Sequence, residues 1–361
     1  MPSNMMKRPL TLACCLMILF CWLNGPCDAA ATPAAPQTEL RIGYQPFSSP
    51  TGAIFEVMKR DRLLRKALER QNITLSFIPA MKGSDSAALF MRGGVEAIAM
   101  GDMPMIELAL DRPITTIAQF RHNFVTVVAP RGATPRDLKG KRIGNVFASA
   151  GHYALLKTLR NAGLSERDVT LVPLDVNEMS GALVSGSVYA VAAWEPTPSQ
   201  LIAKHPDRFS SVGRQSSSGY LSVSRTFAGK HPDSLSLLAA GMARAIQWLA
   251  KDGANRQQAA AWNKAAMLKL SGKASAYSTE ELRRQLTADL QAIRYSARLP
   301  VPKKQDKNLL FDEFTFLKDV GKLPETARWE SISNSFDHSI MERIYQNPVA
   351  SSLNRFDYEL R

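Results

Sequence analysis

From residue 39 onward, short apolar runs alternate with longer mixed segments in a repeating order. Leu40-Arg41-Ile42-Gly43-Tyr44 reads as a first strand, residues 45–52 as a loop rich in Pro and Ser, and residues 53–70 as one amphipathic helix. Residues 73–78 supply the next strand and 84–92 a helix, and Ala97-Ile98-Ala99-Met100 is a short buried strand ending at Gly101-Asp102. The same grammar restarts after the apolar segment 124–128. It runs through a strand at 142–145, a loop at 146–151, a helix at 152–162, a strand at 169–173, a helix at 178–185 and a strand at 189–194. Residues 219–224 read as a returning strand, after which the chain becomes mostly helical.

Alternation of this kind is expected of parallel sheets covered by helices, an α/β architecture. Two strand-loop-helix units, one inserted in the other, predict a discontinuous first lobe (39–126 and 224–340), a continuous second lobe (127–223) and a tail (341–361). The two crossings fall near Thr126 and Leu221. A chain of 361 residues is long enough for two cores. Ligands of open parallel sheets bind outside the carboxyl ends of the strands, and in this arrangement those ends face each other across a cleft.

At the N-terminus, Lys7 and Arg8 precede an uncharged apolar run over 10–23. This predicts a secretory signal peptide (1–30), cut after Ala29, Ala30 or Ala31, followed by a Pro/Ala-rich leader (31–38). The run is shorter than the ~20 apolar residues of a membrane anchor. Cys14, Cys15, Cys21 and Cys27 all precede the cut, so the exported chain has no disulfide, thiolate zinc site or cysteine nucleophile. Cys21 and Cys27 raise a lipoprotein alternative, which the neighbouring Phe20 and Pro26 fit badly.

The formal net charge of +13 allows nucleic acid, membrane surfaces or anionic ligands as partners. No Lys/Arg block is long enough for a nucleic-acid tract, and export argues against that partner. Most of the charge reads as dispersed and solvated. The five histidines, at 122, 152, 205, 231 and 338, show no metal-ligand spacing. There is no Gly-x-Ser-x-Gly elbow, no phosphate-binding glycine fingerprint and no carboxylate pair placed together by sequence, so no cofactor or metal is expected.

Two small-residue loops stand directly before helices. Ser48, Ser49 and Thr51 with Gly52 form one, and Ser149, Ala150 and Gly151 before His152 form the other. Helix N-termini present unpaired N–H groups and the positive end of the macrodipole, so they attract anions. The plain alternative is that these hydroxyls only cap helices; their matching position in both halves favours the ligand. His152 reads as packed or capping, Trp194 as a core aromatic or a cleft wall. Glu195 in a cleft would repel an anion, which implies either an ammonium group on the ligand or a structural pair with Lys or Arg; Asp102 carries the same two readings. Arg121, His122 and Asn123 read as solvated rim.

Leu40-Arg41-Ile42-Gly43-Tyr44-Gln45, Gly101-Asp102-Met103-Pro104, Asp137-Leu138-Lys139-Gly140-Lys141-Arg142-Ile143-Gly144, Ser149-Ala150-Gly151-His152-Tyr153-Ala154-Leu155-Leu156 and Ala192-Ala193-Trp194-Glu195-Pro196 together resemble one family. It is that of periplasmic binding proteins for taurine, alkanesulfonates and nitrate, to which thiamine pyrimidine synthase-like proteins are also related. The similarity runs in order from about 39 to 337. It implies a two-lobed periplasmic binding protein fold (type II), a monomer in the periplasm, and a small-molecule anion or zwitterion passed to an ABC transporter permease in the inner membrane. It also implies that the ligand meets Gln45, Phe47, Ser48, Ser49, Thr51 and Gly52 in one lobe and Ser149, Ala150, Gly151 and His152 in the other. Gly101, Asp102, Trp194 and Glu195 carry over as further contacts. The family often has two hydroxyl residues before the second-lobe helix, where this chain has Ala148-Ser149-Ala150-Gly151.

A sulfonate or taurine-like ligand is preferred to nitrate because Trp194 and the Ser-rich first loop leave room for an organic body. Tyr44, Phe47 and Trp194 also suit a pyrimidine, a thiamine precursor or another aromatic solute. A sensory binder needs the same cleft as a transport protein. An enzyme on this scaffold is disfavoured by a cysteine-free exported chain.

Overall fold

The computed structural model describes residues 37–300 and 309–360; the signal peptide expected at 1–30, the leader up to residue 36 and all four cysteines lie outside the described residues. The first half of the chain runs β1 (Thr38–Tyr44), α1 (Thr51–Met58), α2 (Arg62–Glu69), β2 (Ile73–Pro79), α3 (Gly83–Met91), β3 (Ala97–Gly101), α4 (Asp102–Asp111) and β4 (Ile114–Pro130). Next come β5 (Arg142–Asn145), α5 (Ala150–Asn161), β6 (Thr170–Pro173), α6 (Val176–Ser185), β7 (Ala190–Trp194), α7 (Thr197–Lys204) and β8 (Phe209–Ser224). Helices α8 (Arg225–Lys230), α9 (Pro232–Lys251), α10 (Gly253–Ser271), α11 (Thr279–Ala292), α12 (Leu309–Asp319), α13 (Trp329–Ser333) and α14 (His338–Gln346) complete it.

The strands form one sheet in the order β2-β1-β3-β8-β4-β7-β5-β6. At one end β1 lies parallel between β2 and β3, and at the other β5 lies parallel between β6 and β7. Between them β4 and β8 run antiparallel over almost their full length. Their outer partners differ by half: β3 flanks residues 219–223 of β8, and β7 flanks residues 125–128 of β4. Among the described residues, 122–124 and 216–218 therefore have only each other as strand partners. Register shifts at Thr116/Ala118, Gln119/Arg121 and Val127/Val128 let this central ribbon bend.

Two expectations are corrected. The helix expected over 53–70 is two, because the chain turns at Lys59-Arg60-Asp61. Asp61 is fully buried and caps α2 by accepting from the Leu64 N–H (3.0 Å), and Arg244 on α9 holds its other oxygen at 2.6 Å. Apolar spacing continues across this break, so periodicity alone cannot mark it. The strands seen only as 124–128 and 219–224 are much longer, because polar Arg121-His122-Asn123 and the serines of 210–218 pair as strand where composition reads as loop.

Most of the parallel strands end directly at helix starts, at Gly101–Asp102 in one half and within a few residues of Asn145 and Trp194 in the other. Tyr44 at the end of β1 is fixed by stacking on Phe55 (5.8 Å) and by Phe77 edge-on (6.3 Å), and its hydroxyl donates to Glu56. The segment after α13 returns to the same core, where Ile340, Met341, Ile344, Leu353 and Tyr358 pack with α1, α2 and α9.

Candidate ligand-binding cleft

The strand ends surround a cavity of about 30 Å³, the space of two or three water molecules. Gln45 and Ser48 reach it from the loop after β1, Gly83 and Ser84 from the start of α3, and Gly101 and Pro104 from the start of α4. Val146, Ala148, Ser149 and Ala150 come from the loop and helix after β5, Trp194 from the end of β7 and Arg121 from the middle of β4. Three helices, α3, α4 and α5, bring their starts here. Helix α5 is capped by Ser149, whose oxygen accepts from His152 N–H (3.2 Å), while α3 and α4 have no side-chain cap. Unpaired N–H groups at such ends favour a negative group.

Arg121 supplies the only charged side chain of the lining. It is 4% exposed, which overturns the rim reading; β4 begins at Ile114, so position 121 is mid-strand and points inward. Its Nη1 donates to Ser48 Oγ (3.0 Å), and its Nη2 to Ser217 Oγ and the Ser218 carbonyl (both 2.9 Å). Among the described residues its Nε–H has no partner. An unmet buried donor on a charged group costs more than 1–3 kcal/mol. Burial lowers the guanidinium pKa, with Asp102 and Asp289 opposing that shift. Asn123 is also buried, donating to the Ser49 carbonyl and to Asp289 (both 3.1 Å), whereas His122 is exposed.

Of the residues expected from sequence, Gln45, Ser48, Gly101, Ser149, Ala150 and Trp194 line the cavity. Gln45 is oriented by donating to Ser86 Oγ (2.7 Å) and the Ala99 carbonyl (2.9 Å). Trp194 donates through Nε1 to the Phe47 carbonyl (3.2 Å), while the Phe47 ring sits in the core beside it. The others stand behind. Ser49 donates to Asp289 (2.6 Å), and Thr51 to Ser48 (3.2 Å). Gly52 and Gly151 permit close approach, since a Cβ would stand 2.0 Å from Asn263 Oδ1 at the first and 2.8 Å from the Ala192 carbonyl at the second. His152 faces away from the cavity to Glu166 (3.1 Å), a carboxylate partner fourteen residues on that local sequence did not disclose.

Both acids are occupied by structure. Asp102 accepts from Met103 N–H and Ser217 Oγ (3.1 Å each) and from Ser218 N–H (2.9 Å). Burial pushes its pKa up, as it does that of wholly buried Glu313, which the charge of Asp102 raises further. Glu195 accepts from Ser199 Oγ (2.8 Å) and N–H (3.4 Å), and burial pushes it up to about 7. Gly83, Ser84, Pro104, Arg121, Val146 and Ala148 also line the cavity and were missed by sequence reasoning. A Gly-Ser pair at a helix start reads as a cap, and a charge between strand and turn reads as rim.

The chain has the two-lobed α/β architecture of periplasmic binding proteins, as shown by the alkanesulfonate-binding protein SsuA from Xanthomonas axonopodis pv. citri bound to MOPS (TM-score 0.63, 20% identity, 84% of this chain and 99% of that one). Residues 68–255 match the family model described as NMT1/THI5 like, and the chain belongs to this family. The taurine-binding periplasmic protein of Escherichia coli (strain K12) is 24% identical over 332 residues, 86% of this chain and 94% of that protein. The desulfurization enzyme DSZB shares the fold at a TM-score of 0.53 and 16% identity, over 86% of this chain and 99% of that one. The resemblance read from sequence is thus borne out. Among the described residues no helix is long and apolar enough to cross a membrane.

Proposed function

We propose that this protein is the periplasmic solute-binding component of an ABC uptake transporter, closing on a small sulfonate-type organic anion and presenting it as a monomer to a permease in the inner membrane. The observation that carries the reading is Arg121, buried at the cavity with one N–H unpaired among the described residues. Start-of-helix N–H groups from α3 and α5 add to the positive field. The similarity to taurine- and alkanesulfonate-binding proteins supports the same ligand class. A binder rather than a catalyst is favoured, because the lining offers no acid-base pair: His152 is committed to Glu166, and Asp102 and Glu195 to their serines.

Residues 39–126 with 224–340 form one lobe in this reading and 127–223 the other, with 341–361 as a tail on the first. The proposed crossings, near Thr126 and Leu221, adjoin 122–124 and 216–218, where among the described residues the ribbon has no outer strand to stiffen it. Ligand biases the hinge toward closure by binding that form better.

A thermal-shift screen of the exported form against alkanesulfonates, taurine, nitrate, sulfate and pyrimidines tests this. An anion at 100 Kd adds about 2.7 kcal/mol of stability and should raise the melting temperature. A shift by a neutral pyrimidine and by no anion would replace the ligand class.

A further inference from the structure

We infer, resting on the anion reading above, that the cleft selects anions lacking an ammonium group and so prefers plain alkanesulfonates to aminosulfonates such as taurine. Among the described residues no carboxylate lines the cavity. The acids closest to it are already engaged: Asp102 accepts three hydrogen bonds, Glu195 is held by Ser199, and Asp289 accepts from Ser49, Asn123 and Gln285.

An ammonium group carries three donors and no acceptor. Taken into the cleft, which must open beyond the 30 Å³ seen here to admit either ligand, it gives up water and meets Arg121 and helix starts, and among the described residues the lining itself has no carboxylate to accept its donors, the acids behind it being engaged elsewhere. The rest of the wall suits a hydrocarbon body, since Val146, Ala148, Ala150, Pro104 and Trp194 supply apolar surface. Head group and body thus both have partners, and a positive tail has none.

Calorimetric titration of the exported form with propane-1-sulfonate and with taurine isolates the charge, because the two differ only by a methyl group in place of the ammonium. Propane-1-sulfonate is expected to bind about 100-fold tighter. Raising the pH past the taurine amine's own pKa is expected to close most of that gap by strengthening taurine alone. Taurine binding equal to or tighter than propane-1-sulfonate at neutral pH overturns the inference and leaves the anion reading standing. Binding of neither compound, nor of any other anion, overturns both.

Discussion

Glu195 carries a carboxylate where water cannot reach it, so its proton is retained in the fold up to about pH 7 while the ordinary value is 4.5. A group whose folded pKa is raised contributes stability that is complete below its unfolded pKa and is lost as pH rises toward the folded one. Stability should therefore decline between about pH 4.5 and 7, by at most about 3 kcal/mol from this residue. Glu107, also raised to about 7, adds to the same window. Glu195→Gln should flatten that decline and raise the melting temperature at pH 8 with ligand affinity unchanged; a tenfold affinity loss would mean that Glu195 touches the ligand. Ala148, on the cavity wall, adopts φ 51°, a left-handed conformation costly for a residue with Cβ. Ala148→Gly should gain about 0.5–1 kcal/mol in denaturant unfolding. Neither effect was legible in sequence, because burial and a single dihedral angle are set by contacts from distant elements.

The strands and most helix starts were legible, since short apolar runs bounded by Gly, Pro and Ser fix both strand and loop before tertiary contacts matter. Where distant partners decide, the sequence is mute. The α1–α2 break depends on Asp61 meeting Arg244 at 2.6 Å, 183 residues away. Asp61→Ala, which leaves a buried guanidinium unpaired, should cost about 3–5 kcal/mol, read as a lower urea midpoint. The extent of β4 was hidden for the same reason, and with it Arg121, whose serine partners come from the loop after β1 and from β8. Half of the candidate site, the loops after β1 and β5, was visible as small residues before helices; its cation was not.

Among the described residues four ion pairs cross between the proposed lobes, Lys82–Asp175 at 2.9 Å, Lys322–Glu166 at 2.5 Å, Lys204–Glu281 at 3.4 Å and Arg160–Asp319 at 3.7 Å. All are partly exposed, so each is worth at most about 1 kcal/mol. Because they bridge the proposed lobes, Lys82→Ala should weaken ligand binding by a few-fold if closure accompanies binding, and added salt should reduce the difference from wild type. In the proposed function the buried Arg121, on the ribbon between the proposed lobes, holds the anion. A lysine in its place keeps the charge but loses the planar set of donors that reaches Ser48, Ser217 and Ser218 together. Calorimetric titration of propane-1-sulfonate into wild type and Arg121→Lys, both verified as folded by circular dichroism, should show wild-type binding that weakens at least tenfold in the variant; equal affinity in the two proteins would contradict the account.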